Sequence, residues 1–142
     1  MAGGFGQGVL VILLDTCICI DLLRGSPASA TQRLLSQDPA EVRIPAVAAA
    51  ELLFGARKGG SKKALEATRA FIAGVGVAPF DDAAAEHYGL IRHNLQQAGK
   101  TIGPNDTLIA ATALSLGAAL ATSNVNEFSR VPGLVVENWR ER

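Results

Sequence analysis

The 142-residue chain predicts an α/β domain, a mostly parallel central sheet of four to five strands flanked by helices. Two observations carry this. Short apolar runs rich in β-branched residues alternate with longer stretches of helical periodicity, in the order β-α-α-β-α-α-β-α-α-β-α-β. The first run, Val9 to Leu14, is apolar at every position, as a strand covered on both faces is. Composition agrees: 49% hydrophobic and 18% charged residues exclude a disordered tail and are enough for one well-filled core.

The elements follow in order. Ala2 to Gly8 is glycine-rich and reads as a flexible leader over residues 1–8, before a single domain over 9–139 and a short tail at 140–142. After the first strand, Asp15 and Thr16 can cap a helix reaching about Arg24, which Gly25-Ser26-Pro27 stops. Ala28 to Gln37 reads as a second helix, ended by Asp38-Pro39. Glu41 to Ile44 is a short strand, and Pro45 stands where helices start. Ala46 to Arg57 follows as a helix with Glu51 in its second turn. Lys62 to Ala73 is a helix with Ala64, Leu65, Phe71 and Ile72 as its apolar set, and Val75 to Pro79 a third strand. Asp81 or Asp82 caps a helix ending at Gly99. Pro104 opens the next, with Ile109, Ala113 and Leu116 at helical spacing on its buried side. Ala119 to Thr122 is a strand, Val125 to Phe128 a helical turn, and Leu134 to Val136 the last strand.

Several function classes drop out. Formal net charge is zero, so any nucleic-acid binding needs a local patch. Arg57, Lys58, Lys62 and Lys63 form one around a turn and could meet phosphates, or simply be solvated. Cys17 and Cys19 are the only cysteines; they make no disulfide framework or zinc set, suit a reducing cytoplasm, and read as small buried side chains. The opening apolar run stops after six residues at Asp15, too short for a bilayer, and lacks the basic start of a signal peptide. His87 and His93 lie six apart on one predicted helix and read as surface or packing residues.

In open α/β sheets, ligands bind outside the carboxyl ends of the strands. Asp15 follows the first strand directly, and Ser123 and Asn124 follow the fourth. Glu51 lies early in the helix after the second strand, and Asp106 in the first turn of the helix leading to the fourth. A parallel sheet can bring all of them to one edge. Each also has a plain structural reading: Asp15 as a cap, Asp106 as a helix-dipole partner, Glu51 as a solvent-facing acid. Clustered carboxylates repel, and one takes up a proton unless a cation is present. Hard divalent cations suit such oxygen ligands.

Four segments then resemble a known family. Leu13-Leu14-Asp15-Thr16-Cys17-Ile18-Cys19-Ile20 resembles the opening motif of PIN-domain ribonucleases, especially VapC-type toxins of type II toxin–antitoxin modules. Ala50 to Gly55 is similar to their second motif, Ile102 to Ala111 to their third, and Thr122 to Phe128 with Val131 to Leu134 and Asn138-Trp139 to their closing segment. The resemblance implies a PIN-like fold and a Mg2+-dependent endoribonuclease, with Mn2+ as an alternative ion. It implies Asp15, Asp106 and Glu51 as metal ligands, Glu51 directly or through water, and Asp15, Glu51, Asp106 and Asn124 as the catalytic set, with Thr122 beside them. It implies an RNA substrate, transfer RNA among the candidates, a VapB-type antitoxin and a homodimer.

The chain departs from the pattern at some positions. Cys17 stands where asparagine is more usual, Ser123 replaces a frequent asparagine, and Asn124 removes a fourth carboxylate. Glu127, three residues on, could replace that acid but reads as a solvated acid of a helical turn; Asp21 is expected outside the site. Two other readings stand beside the nuclease: a catalytically quiet PIN module acting by partner or RNA binding, and a phosphoryl-transfer enzyme using Asp15 as nucleophile. The second lacks its usual acid two residues on, where Cys17 stands.

Overall fold

The computed structural model describes residues 11–141. Five strands form one sheet: β1 (Ile12–Leu14), β2 (Val42–Pro45), β3 (Val77–Ala78), β4 (Ala119–Thr122) and β5 (Val135–Asn138). Their order is β3-β2-β1-β4-β5 and every pairing is parallel. Seven α-helices connect them: α1 (Thr16–Arg24), α2 (Ala28–Leu35), α3 (Ala46–Gly59), α4 (Lys62–Val75), α5 (Asp82–Ala98), α6 (Pro104–Leu116) and α7 (Val125–Phe128). The predicted fold class and element order are both found.

The central strands β1 and β4 are buried at every residue, which is why their sequences, Thr122 apart, are apolar rather than alternating. Leu13, Leu14, Ile18, Ile44, Ile109, Leu120 and Phe128 are wholly excluded from water, each worth about 1.5–3 kcal/mol of hydrophobic transfer. The chain lays down β1, β2 and β3 in one direction, then crosses to place β4 on the other side of β1. The crevice between the ends of β1 and β4 is therefore the topological switch point. Register carries the two strands there together: Leu14 pairs with Ala121, so Asp15 and Thr122 leave the sheet side by side, with the Asp15 amide donating to the Ala121 carbonyl at 2.9 Å.

Several boundaries differ from expectation. Of the first predicted strand, Val9 and Leu10 lie outside the described residues, as does the leader over 1–8, and β1 occupies only Ile12–Leu14. Helix α2 ends at Leu35, and a 3₁₀ turn over Pro39–Glu41, capped by Asp38, replaces plain coil. Helix α4 packs against α3 and β2 and leaves most of its surface to water. Its predicted apolar residue Ala64 is exposed, and the buried residue is Thr68, whose hydroxyl donates to the Ala64 carbonyl at 2.8 Å. In α6, Ile109 and Ala113 are buried as expected, but Leu116, the last residue of the helix, is exposed. The tail expected at 140–142 packs at its first residue: Arg140 pairs with Asp21 of α1.

Candidate active site

Asp15 occupies the N-cap of α1 immediately after β1. It is buried, and three donors meet it: the Thr16 amide at 2.8 Å, the Thr122 hydroxyl at 2.7 Å and the Cys17 thiol at 3.5 Å. Burial raises its pKa and the charge of Glu51 adds to that, while the three hydrogen bonds pull it back. Its cap role and its place in the site are thus both real. Thr122 is fixed in turn by the Asn124 amide, which donates to its hydroxyl at 2.9 Å.

Glu51 reaches the same edge from the second turn of α3. Its two oxygens are held by neutral donors from different elements: Thr16 Oγ1 at 2.6 Å from α1, and Asn105 Nδ2 at 3.1 Å from the start of α6. That explains how a carboxylate is carried in an otherwise apolar helix. Helix α6 brings Asp106 in its first turn, after Pro104, with Gly103 as the cap residue.

Asp106 does not stand alone there. It shares a hydrogen bond with Glu127 of α7, whose own oxygens also accept from the Gly103 amide at 2.9 Å and from the Asn124 side chain. Burial, then the bond to Glu127, then the charges of Glu127, Asp15 and Glu51 push the Asp106 pKa up to about 7. The same bond and the Gly103 amide hold Glu127 below the usual glutamate range.

The sequence expectations are corrected here in two places. Glu127, expected as a solvated acid, is only half-exposed and is tied to the α6 N-terminus and to Asp106, beside the other three carboxylates. Cys17 is not a buried packing residue like Cys19. It is half-buried at the site, with Sγ also accepting from the Ser123 amide at 3.4 Å and hydroxyl at 3.3 Å and lying 3.7 Å from Thr122 Oγ1. Asn124, expected in the catalytic set, turns its amide to Glu127, so in this structure it positions that acid. Asp21 lies outside the site, as expected, paired with Arg140; His93 is exposed and His87 half-buried, neither facing the acids' donors.

The donor set is all hard oxygen, which suits Mg2+ or Mn2+ rather than zinc. Among the described residues no three His, Cys, Asp or Glu side chains form a ready cage for an ion. Magnesium does not need one: it binds through one or two carboxylates and keeps its waters. Asp15 and Asp106, whose pKa values are both raised with neighbouring negative charge among the causes, are the pair a cation would relieve.

An all-parallel sheet with four carboxylates at its switch point defines an α/β protein with an acidic centre at the crevice where such folds bind ligands. The chain belongs to the PIN domain family, matched over residues 12–134, and within it to the VapC group. It is 37% identical to the tRNA(fMet)-specific endonuclease VapC of Shigella flexneri, over 92% of this chain and 99% of that one. It is 33% identical to ribonuclease VapC2 of Rickettsia felis, over 92% and 98%. Among solved structures, VapBC from Salmonella typhimurium bound to DNA superposes with a TM-score of 0.84 at 34% identity, covering 92% of this chain and 98% of that one. VapBC2 from Rickettsia felis bound to a promoter DNA fragment gives 0.82 at 32%, covering 92% and 99%. No helix among the described residues is long and apolar enough to cross a membrane.

Proposed function

We propose that this chain is a divalent-cation-dependent endoribonuclease, the toxin of a VapBC-type pair, hydrolysing RNA phosphodiester bonds in the reducing cytoplasm. One observation carries the reading: Asp15, Glu51, Asp106 and Glu127 gather at the β1/β4 switch point, where burial, the bond to Glu127 and mutual repulsion push the Asp106 pKa up to about 7. Asp15 and Asp106 are the residues that would hold Mg2+ or Mn2+. When bound, such an ion supplies a water of lowered pKa and offsets negative charge on the phosphate.

The protein's own groups do the rest. Thr122, Cys17 and the Thr16 amide fix Asp15 in one rotamer, so its orientation costs nothing when substrate arrives. Glu51, with one donor on each oxygen, keeps a free lone pair to orient the attacking water and accept its proton. Hydrolysis then adds water across one P–O bond, one fragment leaving with the phosphate and the other with a hydroxyl. Glu127 and the Gly103 amide keep Asp106 at the mouth of α6.

The solved relatives are complexes with VapB partners, and the Shigella enzyme is named for a transfer RNA. We extend both to this chain: an antitoxin that covers the site, and a structured RNA such as transfer RNA as target. Glu127 supplies the acid that Asn124 lacks, which removes the main motive for a catalytically quiet module. The test is Asp15→Asn and Asp106→Asn in partner-free protein. Both should lose RNA cleavage by at least about 100-fold with the circular dichroism spectrum unchanged. Mapped 5′ ends of cellular RNA should be present with native protein and missing with Asp15→Asn. Equal cutting by native and both variants would end the assignment.

A further inference from the structure

Phe54 lies in α3 three residues after Glu51 and is 68% exposed, unusual for so large an apolar side chain. Three residues carry it about 4.5 Å along the helix axis on nearly the same face as Glu51. Lys58, four residues further, continues that stripe, with Arg57 beside it and Lys62 and Lys63 opening α4 across the turn; all four cations are exposed. The ion pair found among the described residues is Asp21–Arg140, so none of these four is neutralised by a carboxylate. A Cβ added at Gly55 or Gly59 would meet nothing within 4 Å, so the surface beside the ring is open.

One helix face thus runs from a catalytic acid to an aromatic ring to unpaired cations. We infer that Phe54 is a stacking platform for an unpaired nucleobase next to the scissile phosphate, with Lys58 and its neighbours on the following phosphates; this rests on the ribonuclease reading above. Base–aromatic stacking needs one open ring face and tolerates any base, and single-stranded or looped RNA offers unstacked bases while a duplex does not. Charge matches only on the basic side, which draws the strand over the ring toward the acids. A protein partner fits less well. A standard interface covers about 800 Å² per partner, and the exposed residues nearest Phe54 along α3 are Ala50, Gly55, Arg57 and Lys58, with no second large apolar group.

The test uses the full chain carrying Asp106→Asn to prevent cutting, and a fluorescein-labelled single-stranded oligoribonucleotide followed by anisotropy. Phe54→Ala and Phe54→Leu should each raise Kd by roughly 5- to 150-fold, while Phe54→Trp stays near the parent value. A fully paired RNA of the same sequence should bind weakly and not respond to any of the three. In chains with Asp106 restored, KM should rise with Kd. Thermal midpoints check folding, since an exposed position changes stability little. The inference is overturned if Phe54→Ala or Phe54→Leu binds the single strand as tightly as the parent, or if Phe54→Trp loses as much as Phe54→Ala. Native RNA affinity with an altered sedimentation coefficient would also overturn it and make Phe54 a protein contact. Cleavage by the native chain with an unchanged KM in Phe54→Ala removes the stacking platform alone. Absence of cleavage by the native chain removes the ribonuclease reading with it.

Discussion

At the scale of single residues, the site is governed by one proton. Asp106 titrates near 7 when folded and close to 4 in an unfolded chain, so between those values the folded state holds a proton that the unfolded state lacks. Stability of the cation-free protein therefore falls as pH rises through that window. Glu127 is shifted the other way, so its contribution is lost only at lower pH, as pH falls through its depressed folded value. On the proposed reading, a divalent cation held by Asp106 would have to compete with its proton, so the Mg2+ needed for half-maximal cleavage should rise about tenfold per unit as pH falls below about 7. Glu127→Gln removes both the acceptor and the nearest charge, which lets Asp106 ionise more easily. Its acid limb should move to lower pH, measured as the Mg2+ requirement between pH 5.5 and 8. An acid limb that stays in place would show that Glu127 does not hold the Asp106 proton. Asp15 and Asp106 were legible in the sequence from their places at a strand end and a helix start, and Glu51 because an acid inside an apolar run stands out. Glu127 was less so: its four-residue helix looks like any solvated turn, and the Gly103 amide and Asp106, more than 20 residues away in sequence, are what tie it to the other acids. Cys17 was hidden for a related reason. A small thiol beside an apolar helix reads as packing until Ser123 and Thr122 are placed against it.

At the scale of elements, the order of strands and helices was readable because glycines and prolines punctuate it and β1 and β4, Thr122 apart, are apolar. Burial was less readable where tertiary contacts decide it, as along α4 and in the last turn of α6. The site depends on three elements that no local pattern ties together. Helix α1 offers Thr16, helix α6 offers Asn105, and Glu51 of α3 is suspended between them. Hydrogen bonds to a charged group are worth about 1.5–3 kcal/mol, so losing one should be visible in catalysis if Glu51 orients the attacking water. Thr16→Val is isosteric and should lower kcat about 10- to 100-fold with little change in KM. Thr16→Ser should restore most of the rate, and Asn105→Ala should act in the same direction more weakly, because its bond is longer and exposed. A native kcat in both Thr16→Val and Asn105→Ala would show that Glu51 needs no such support.

At the scale of the whole molecule, the carboxyl-terminal residues of the described chain close on its first two helices. Strand β5 ends at Asn138, Trp139 is fully buried, and Ser29 of α2 donates to the carbonyls of Trp139 and Arg140. Arg140 then makes a two-pronged pair with Asp21, Nε to Oδ2 at 2.8 Å and Nη2 to Oδ1 at 3.0 Å. Asp21 is 2% exposed, so the pair is what permits a carboxylate on the inner side of α1. The same helix carries Thr16 and Cys17 into the active site, which makes the carboxyl-terminal residues part of the frame that holds it. Removing one partner of a buried pair costs about 3–5 kcal/mol, because the other is left charged and dry. Here the arginine is 46% exposed and water can follow it in, which lowers the expected cost of Arg140→Ala to about 2 kcal/mol. That corresponds to a fall in Tm of about 4–8 °C in a domain of this size. Asp21→Asn in the same chain removes the stranded charge and should recover part of the loss, so the double variant should be more stable than Arg140→Ala alone. Neither residue touches the carboxylates, so kcat measured well below the transition should match the native chain. A Tm of Arg140→Ala within 1 °C of native would mean that water already satisfies Asp21. A fall in kcat without a fall in Tm would instead place the carboxyl-terminal clamp in the chemistry, which its distance along α1 from Thr16 argues against.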